Sequence, residues 1–237
     1  PAVQFAVFDG KGGSDYEDLS SRFFAFTGDD LEAANLTLRR LVELRERRAA
    51  VIRRVLGVRN VWDVGPSETW PLIIVVLDEA HTFFAQVRDG GDKELKRRNA
   101  LAAQNALLVE DLVKKGRSVG ILTVLTTQKG TSDAIPTSIR DVCAVSLSFA
   151  ARTDEAAVAA LGADIRQYPD ASPVALQDPA YIGVASMVVA GRPGFTRFRC
   201  PIVDDVDVAR ICEQASVLTA DPLALLEERI RPRVVSD

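Results

Sequence analysis

Two adjacent carboxylates, Asp78 and Glu79, close the apolar run Leu72-Ile73-Ile74-Val75-Val76-Leu77. A run of this kind reads as a strand in the middle of a sheet, covered on both faces. The end of such a strand is rigid and dry, so it can hold Asp78 toward a magnesium ion and Glu79 toward an attacking water. Phosphoryl transfer asks a protein for positioning and electrostatics, and for little covalent chemistry. The pattern is that of a Walker B motif. The competing reading is a strand that runs out into an acidic turn, but two carboxylates at the end of a core strand need a reason.

One helix and one strand later comes Ile121-Leu122-Thr123-Val124-Leu125-Thr126-Thr127-Gln128. A polar residue at the tip of a strand beside the first can touch a γ-phosphate or the lytic water, which makes Gln128 a candidate sensor. A phosphate-binding loop of the form GxxxxGK[ST] is expected with these motifs. The stretch Asp9-Gly10-Lys11-Gly12-Gly13-Ser14 lacks the spaced first glycine, and no Ser or Thr follows its lysine. It is therefore rejected as a Walker A motif. The P-loop is expected upstream of Pro1 or on another segment, or else it does not exist. The chain opens at Pro1 with a strand-like run and no initiator Met, so it reads as a fragment.

These residues need a scaffold. Val3 to Phe8 reads as a strand, and Asp29-Asp30 precede a predicted helix from Leu31 to about Leu56. Leu36, Leu38, Leu41, Leu44, Val51, Ile52 and Val55 recur near helical spacing, and the other face carries Arg39, Arg40, Arg45, Arg47, Arg48, Arg53 and Arg54. That face is expected to be a solvated surface, with a subunit contact as the alternative. Further helices are expected from about Arg98 through Leu112, over Asp154–Leu161 and over Asp205–Gln214. Val142–Phe149 is expected to be another buried strand, and Tyr181–Val189 with Phe195–Phe198 a hairpin near the sheet edge. The alternation of strand and helix argues for a three-layer α/β sandwich with a mostly parallel central sheet. The expected organisation is one domain over residues 1–214 and a charged tail or helix over residues 215–237.

Composition sets limits. With 29 basic and 33 acidic residues among 237, the net charge is −4. That excludes a freestanding nucleic-acid binder with a dominant basic face, though not a ring that gathers cations locally. Cys143, Cys200 and Cys212 form no CxxC pair, and the single histidine, His81, completes no zinc site, so reduced cysteines in a cytoplasmic protein are expected. The longest apolar run, Pro71–Leu77, is too short to span a bilayer, and any membrane anchor is expected outside this chain.

From about Val3 to Ile211 the chain resembles the FtsK/SpoIIIE group of ring-forming DNA translocases, including the related TraB-like conjugative transfer proteins. The resemblance rests on Asp9-Gly10-Lys11, Gly57-Val58-Arg59-Asn60, Leu77-Asp78-Glu79, Lys115-Gly116-Arg117-Ser118-Val119-Gly120-Ile121 and the strand to Thr127-Gln128. The chain departs from the family at Ala80-His81, where the family has hydrophobic residues after the carboxylates, and at Val184-Ala185, where the family has Gly-Asp. The resemblance implies a RecA-like P-loop NTPase fold, ATP and Mg2+ as cofactors, and a hexameric ring that threads double-stranded DNA for chromosome segregation or conjugative transfer. Asp78 is then the magnesium-side carboxylate, Glu79 the catalytic base and Gln128 the sensor. Arg117 matches an arginine that reaches a neighbouring subunit's nucleotide. Lys129, Arg140 and Arg152 match pore-loop cations on the DNA backbone, while a further pore arginine is here Ala156.

A few inward cations per subunit, repeated around a ring, would reconcile DNA binding with an acidic chain. Without its P-loop the chain by itself is expected to be inactive. Two other readings remain open: an FtsK-like secretion ATPase that moves proteins, and a non-catalytic ring-forming homologue. Asp78-Glu79-Ala80-His81 also spells the DEAH box of helicases, but the Ser-Ala-Thr strand end and the arginine-rich QxxGRxGR helix of those enzymes are missing. Trp62, Trp70, Phe23-Phe24 and Phe83-Phe84 read as core or interface packing.

Overall fold

Strand β1 (Val3–Asp9) runs into a loop, a 3-10 turn (Glu17–Arg22) and strand β2 (Phe23–Thr27). Helix α1 (Leu31–Leu56) follows, then β3 (Leu72–Asp78), the single turn α2 (His81–Phe84), α3 (Lys93–Lys115) and β4 (Ile121–Leu125). The structure, a computed structural model, describes residues 2–131 and 133–231. All pairings among these first four strands are parallel, in the order β2-β1-β3-β4. The fold is thus the mixed α/β architecture read from the alternation of elements.

Contacts divide the chain into two compact units, one reaching to Thr126 and resuming at Asp205, the other covering Thr127–Asp204. The second unit holds α4 (Thr137–Arg140), β5 (Val145–Ser148), α5 (Asp154–Leu161), β6 (Val184–Val189) and β7 (Thr196–Arg199). Strands β5, β6 and β7 make a separate antiparallel sheet. The expected hairpin is therefore present as β6 and β7, but the expected strand over Val142–Phe149 is shorter. It is also not buried: Val145, Leu147 and Phe149 are exposed. Its alternate side chains face solvent, which a short run of mixed polarity does not reveal. The second unit's own core gathers Ala157, Leu161 and Ile165, with Val188 and Phe195 against them.

The first unit resumes with α6 (Asp205–Ala215) and α7 (Pro222–Ile230). The segment expected as a tail or helix is helical over Pro222–Ile230 and lies on α1, where Arg47 pairs with Glu227 at 2.8 Å and Arg40 pairs with Asp221. Positions 232–237 of that segment lie outside the described residues. Gln4, fully buried in β1, donates to the carbonyl of Leu218 at 2.8 Å and accepts from the amide of Ala220 at 3.0 Å. No helix of the described residues is long and apolar enough to cross a membrane.

Sequence dictates the main supports directly. Asp30 caps α1 by accepting from the amides of Glu32 and Ala33, and Gly57 ends it in a left-handed conformation with φ +74°. Of the expected apolar stripe, Leu38, Leu41, Leu44 and Ile52 are buried, each contributing about 1.5–3 kcal/mol by leaving water, whereas Leu36 is exposed and Val51 and Val55 are half-buried. The opposite face departs from expectation, because Arg48 is only 1% exposed. In β3 the side chains of Ile73, Val75 and Leu77 are fully buried, while their alternates are partly covered. One face of this strand is core and the other is screened less completely than an unbroken apolar run suggests.

Candidate active site

The two carboxylates sit where three strand ends meet. Parallel register sets Asp9 of β1 beside Asp78 of β3, and β4 ends one residue short of Thr126. Backbone bonds lock this corner: Gly10 donates to Asp78 O at 2.9 Å, Thr126 to Leu77 O at 3.0 Å, and Ala80 to Thr126 O at 2.8 Å. Thr82 adds its hydroxyl to the carbonyl of Gly10 at 2.9 Å.

Glu79 has φ +44°, alone among the described non-glycine residues in being positive. A side chain in the left-handed region costs roughly 1–2 kcal/mol and persists where the surroundings over-determine it, commonly at functional sites. This left-handed residue turns the chain immediately after β3 ends at Asp78. Glu79 is only 8% exposed, and its Oε2 lies 3.1 Å from Nδ1 of His81.

Asp78 accepts from the hydroxyl of Thr126, a residue not singled out by its sequence, and its charge acts on the nearby Tyr16 phenol. Burial first, and then the charge of Asp78, push the Tyr16 phenol well above its usual range. Tyr16 carried no local signal; it lies in a polar loop whose path brings it back over the end of β3.

The Asp-Gly-Lys-Gly-Gly loop behaves unlike a phosphate cradle. The amides of Lys11, Gly12 and Gly13 all point at the carboxylate of Asp9, at 3.0, 3.1 and 3.1 Å. An internal anion thus takes the donors that a P-loop would offer to phosphate. Lys11 pairs with Asp15 at 2.7 Å.

Magnesium favours hard oxygen donors and keeps waters and phosphate oxygens alongside one or two carboxylates. The Asp78 carboxylate and the Thr126 hydroxyl supply that kind of donor. No group of three His, Cys, Asp or Glu among the described residues is arranged to hold a metal unaided.

Arg117 is exposed on a 3-10 turn, Arg117–Val119, between two glycines. The other candidates belong to the second unit. Gln128 is exposed two residues past Thr126. Lys129 pairs with Asp133 at 3.0 Å, Arg140 ends α4 with its Nε 3.7 Å from Asp141, and Arg152 is exposed just before α5. Ala156 sits so close to Gly130 that a Cβ there would be 3.1 Å from the Ala156 Cβ, a spacing that suits alanine rather than a long cation. The structure thus brings together Asp78, Glu79, Thr126 and Tyr16, and sets the cations on separate segments.

No protein-family model matches the sequence, and no curated protein matches it. Solved structures do resemble the fold. The pCW3 conjugation coupling protein TcpA, solved in a monomer form with ATPγS, is 18% identical with a TM-score of 0.67 over 96% of this chain and 57% of that one. The cytoplasmic domain of the type VII secretion ATPase EccC from Thermomonospora curvata is 17% identical with a TM-score of 0.59, over 90% of this chain and 24% of that one. ATPases 2 and 3 of EssC from Geobacillus thermodenitrificans are 15% identical with a TM-score of 0.52, over 96% and 38% respectively. The chain therefore spans a little over half of TcpA and less of the secretion ATPases. At these identities the likeness shows the fold alone, the mixed α/β architecture that this chain shares with those proteins.

Proposed function

We propose that this chain is the greater part of an ATPase motor domain of the FtsK/SpoIIIE kind, acting in a hexameric ring that drives double-stranded DNA through its pore. The strained Asp78–Glu79 turn, at the end of a core strand in an ATPase fold, carries the reading. Asp78 and Thr126 would hold magnesium, which supplies neutralisation of the charge on the transferring phosphate. Glu79, nearly buried and steadied by His81, orients a water and takes its proton. Gln128 senses the γ-phosphate, and Arg117 from the next subunit stabilises charge on it. Lys129, Arg140 and Arg152 grip DNA phosphates without reading bases. The motor domain in this reading covers residues 1–214.

A second reading, a secretion ATPase that moves protein, draws support from the pairing of Lys129 with Asp133 and Arg140 with Asp141, which blunts two of the three cations. Two of the similar structures, EccC and EssC, also point that way.

The deciding experiment is ATP hydrolysis by the chain extended upstream through an encoded P-loop, with and without linear duplex DNA. DNA-stimulated turnover that is lost in Glu79→Gln and Arg117→Ala supports the DNA motor. Turnover indifferent to DNA moves the assignment to secretion. No turnover, or no encoded P-loop, makes the protein a non-catalytic homologue. The chain of 237 residues alone is expected to give none.

A further inference from the structure

A surface turn is ordinarily among the more mobile parts of a protein, yet the turn that carries Arg117 is bonded through several of its carbonyls to neighbouring side chains and to β3. Arg48 projects from the middle of α1 with 1% exposure and donates through Nη1 to the carbonyl of Val119 at 3.0 Å. Its guanidinium lies 5.0 Å over the ring of Trp70. Trp70, itself 1% exposed, donates its indole N–H to the same Val119 carbonyl at 3.1 Å. From the outer side, Trp62 donates its indole N–H to the carbonyl of Arg117 at 2.9 Å.

The carbonyls of Gly116 and Gly120 are also engaged. Gly116 O accepts from Val119 and Ile121 at 3.1 and 2.9 Å, and Gly120 O accepts from Ile73 of β3 at 2.8 Å. A Cβ on Gly116 would lie 2.5 Å from Leu112 O and 2.7 Å from Ile121 O, so the approach is tight. Burying a guanidinium is costly, and an apolar side chain would fill the Arg48 site at less cost. What an apolar side chain cannot do is donate to the inward-facing carbonyl of Val119.

We infer that Arg48, Trp70 and Trp62 are positioning residues that hold the 116–120 turn in one shape, so that Arg117 is presented preformed to the adjoining subunit's nucleotide. The inference rests on the role proposed above for Arg117. An arginine side chain has much rotamer freedom to lose, and fixing its backbone leaves less to be lost when it engages phosphate.

The first test is hydrogen–deuterium exchange on this chain in Arg48→Met and Trp62→Phe. The amides of residues 119–121 are expected to exchange about tenfold faster in both, with those of Leu38–Leu44 unchanged. Trp62 is 42% exposed, so Trp62→Phe removes one N–H without opening the core, even should Arg48→Met fail to fold. Unchanged exchange at 119–121 in Trp62→Phe overturns the brace.

The second test is ATP turnover in the P-loop-bearing protein. Arg117→Ala should lower kcat on the order of a hundredfold to a thousandfold. Trp62→Phe and Arg48→Met should lower it about tenfold at unchanged KM, and should add nothing when combined with Arg117→Ala. Loosened exchange with unaltered kcat, or with additive losses, overturns the positioning role. An Arg117→Ala protein with full turnover overturns the trans-acting arginine itself while leaving the brace as a measured structural fact.

Discussion

Gly10 donates its amide to the carbonyl of Asp78 at 2.9 Å, and a Cβ on Gly10 would stand 2.7 Å from that oxygen and from the carbonyl of Glu79. The loop after β1 and the turn after β3 are therefore in backbone contact, with no space for a side chain between them. Gly10→Ala must push the Asp78–Glu79 turn aside, an overpacking that costs about 1–3 kcal/mol. Urea unfolding should show the midpoint falling accordingly. An unchanged midpoint would mean that the turn yields without resistance.

The positive φ of Glu79 makes a separable prediction. Glycine normally costs roughly 0.5–1 kcal/mol against alanine, but in the left-handed region the order reverses. Glu79→Gly and Glu79→Ala both remove the carboxylate and its contact with His81. Glu79→Gly is nevertheless expected to be the more stable of the two by about 1 kcal/mol, as read from thermal unfolding. If alanine is the more stable, the turn is not strained in solution.

Much of the site's frame was legible in the residues themselves. The apolar run to Leu77, the capping Asp30 and the stripe of α1 each have a local cause, and the structure places β3 and α1 over those residues. Strand β2 was not legible, because Phe23–Thr27 is short and takes its order from pairing beside β1. Arg48 looked like six neighbouring arginines; only Trp70 and Val119, 22 and 71 positions away, make it a core residue. Trp62, read as packing, is half exposed and used for its N–H. Tyr16 reaches Asp78 through a loop whose course no periodicity encodes.

Burial pulls the Arg48 guanidinium down to about 9, well below the ordinary guanidinium range. For a base whose folded value is lowered, the folded state releases its proton first, so stability gained from deprotonation appears as pH rises from about 9 toward the ordinary guanidinium range. Below that window both states are charged and the desolvation cost is carried in full. Wild type compared with Arg48→Met should therefore gain relative stability across this window and show a constant difference from pH 6 to 8. Chemical denaturation at stepped pH checks it, and a flat difference throughout would place the guanidinium in water.

Asp133 is held well below the usual carboxylate range, at about 2, by its bond to Thr131 and then by Lys129. Its charge is present at every physiological pH and opposes any phosphate approaching Lys129. Asp133→Asn should tighten binding of linear duplex DNA by the assembled protein and steepen its salt dependence, whereas Lys129→Gln should weaken both. Fluorescence anisotropy over a salt series measures this. Indifference to both changes would remove Lys129 from any DNA path.

The bond from Gln4 to Leu218 joins residues 214 positions apart. Residues 127–204 form a continuous unit that can gather its own core as soon as it leaves the ribosome. The parallel sheet, in contrast, cannot satisfy Gln4 until Leu218 and Ala220 have been made. Contacts of such separation are formed late and slowly, because the intervening chain must first be closed into a loop. Completion thus runs against synthesis for this strand: β1 precedes the inserted unit in the chain, yet its buried amide is satisfied only by residues that follow that unit.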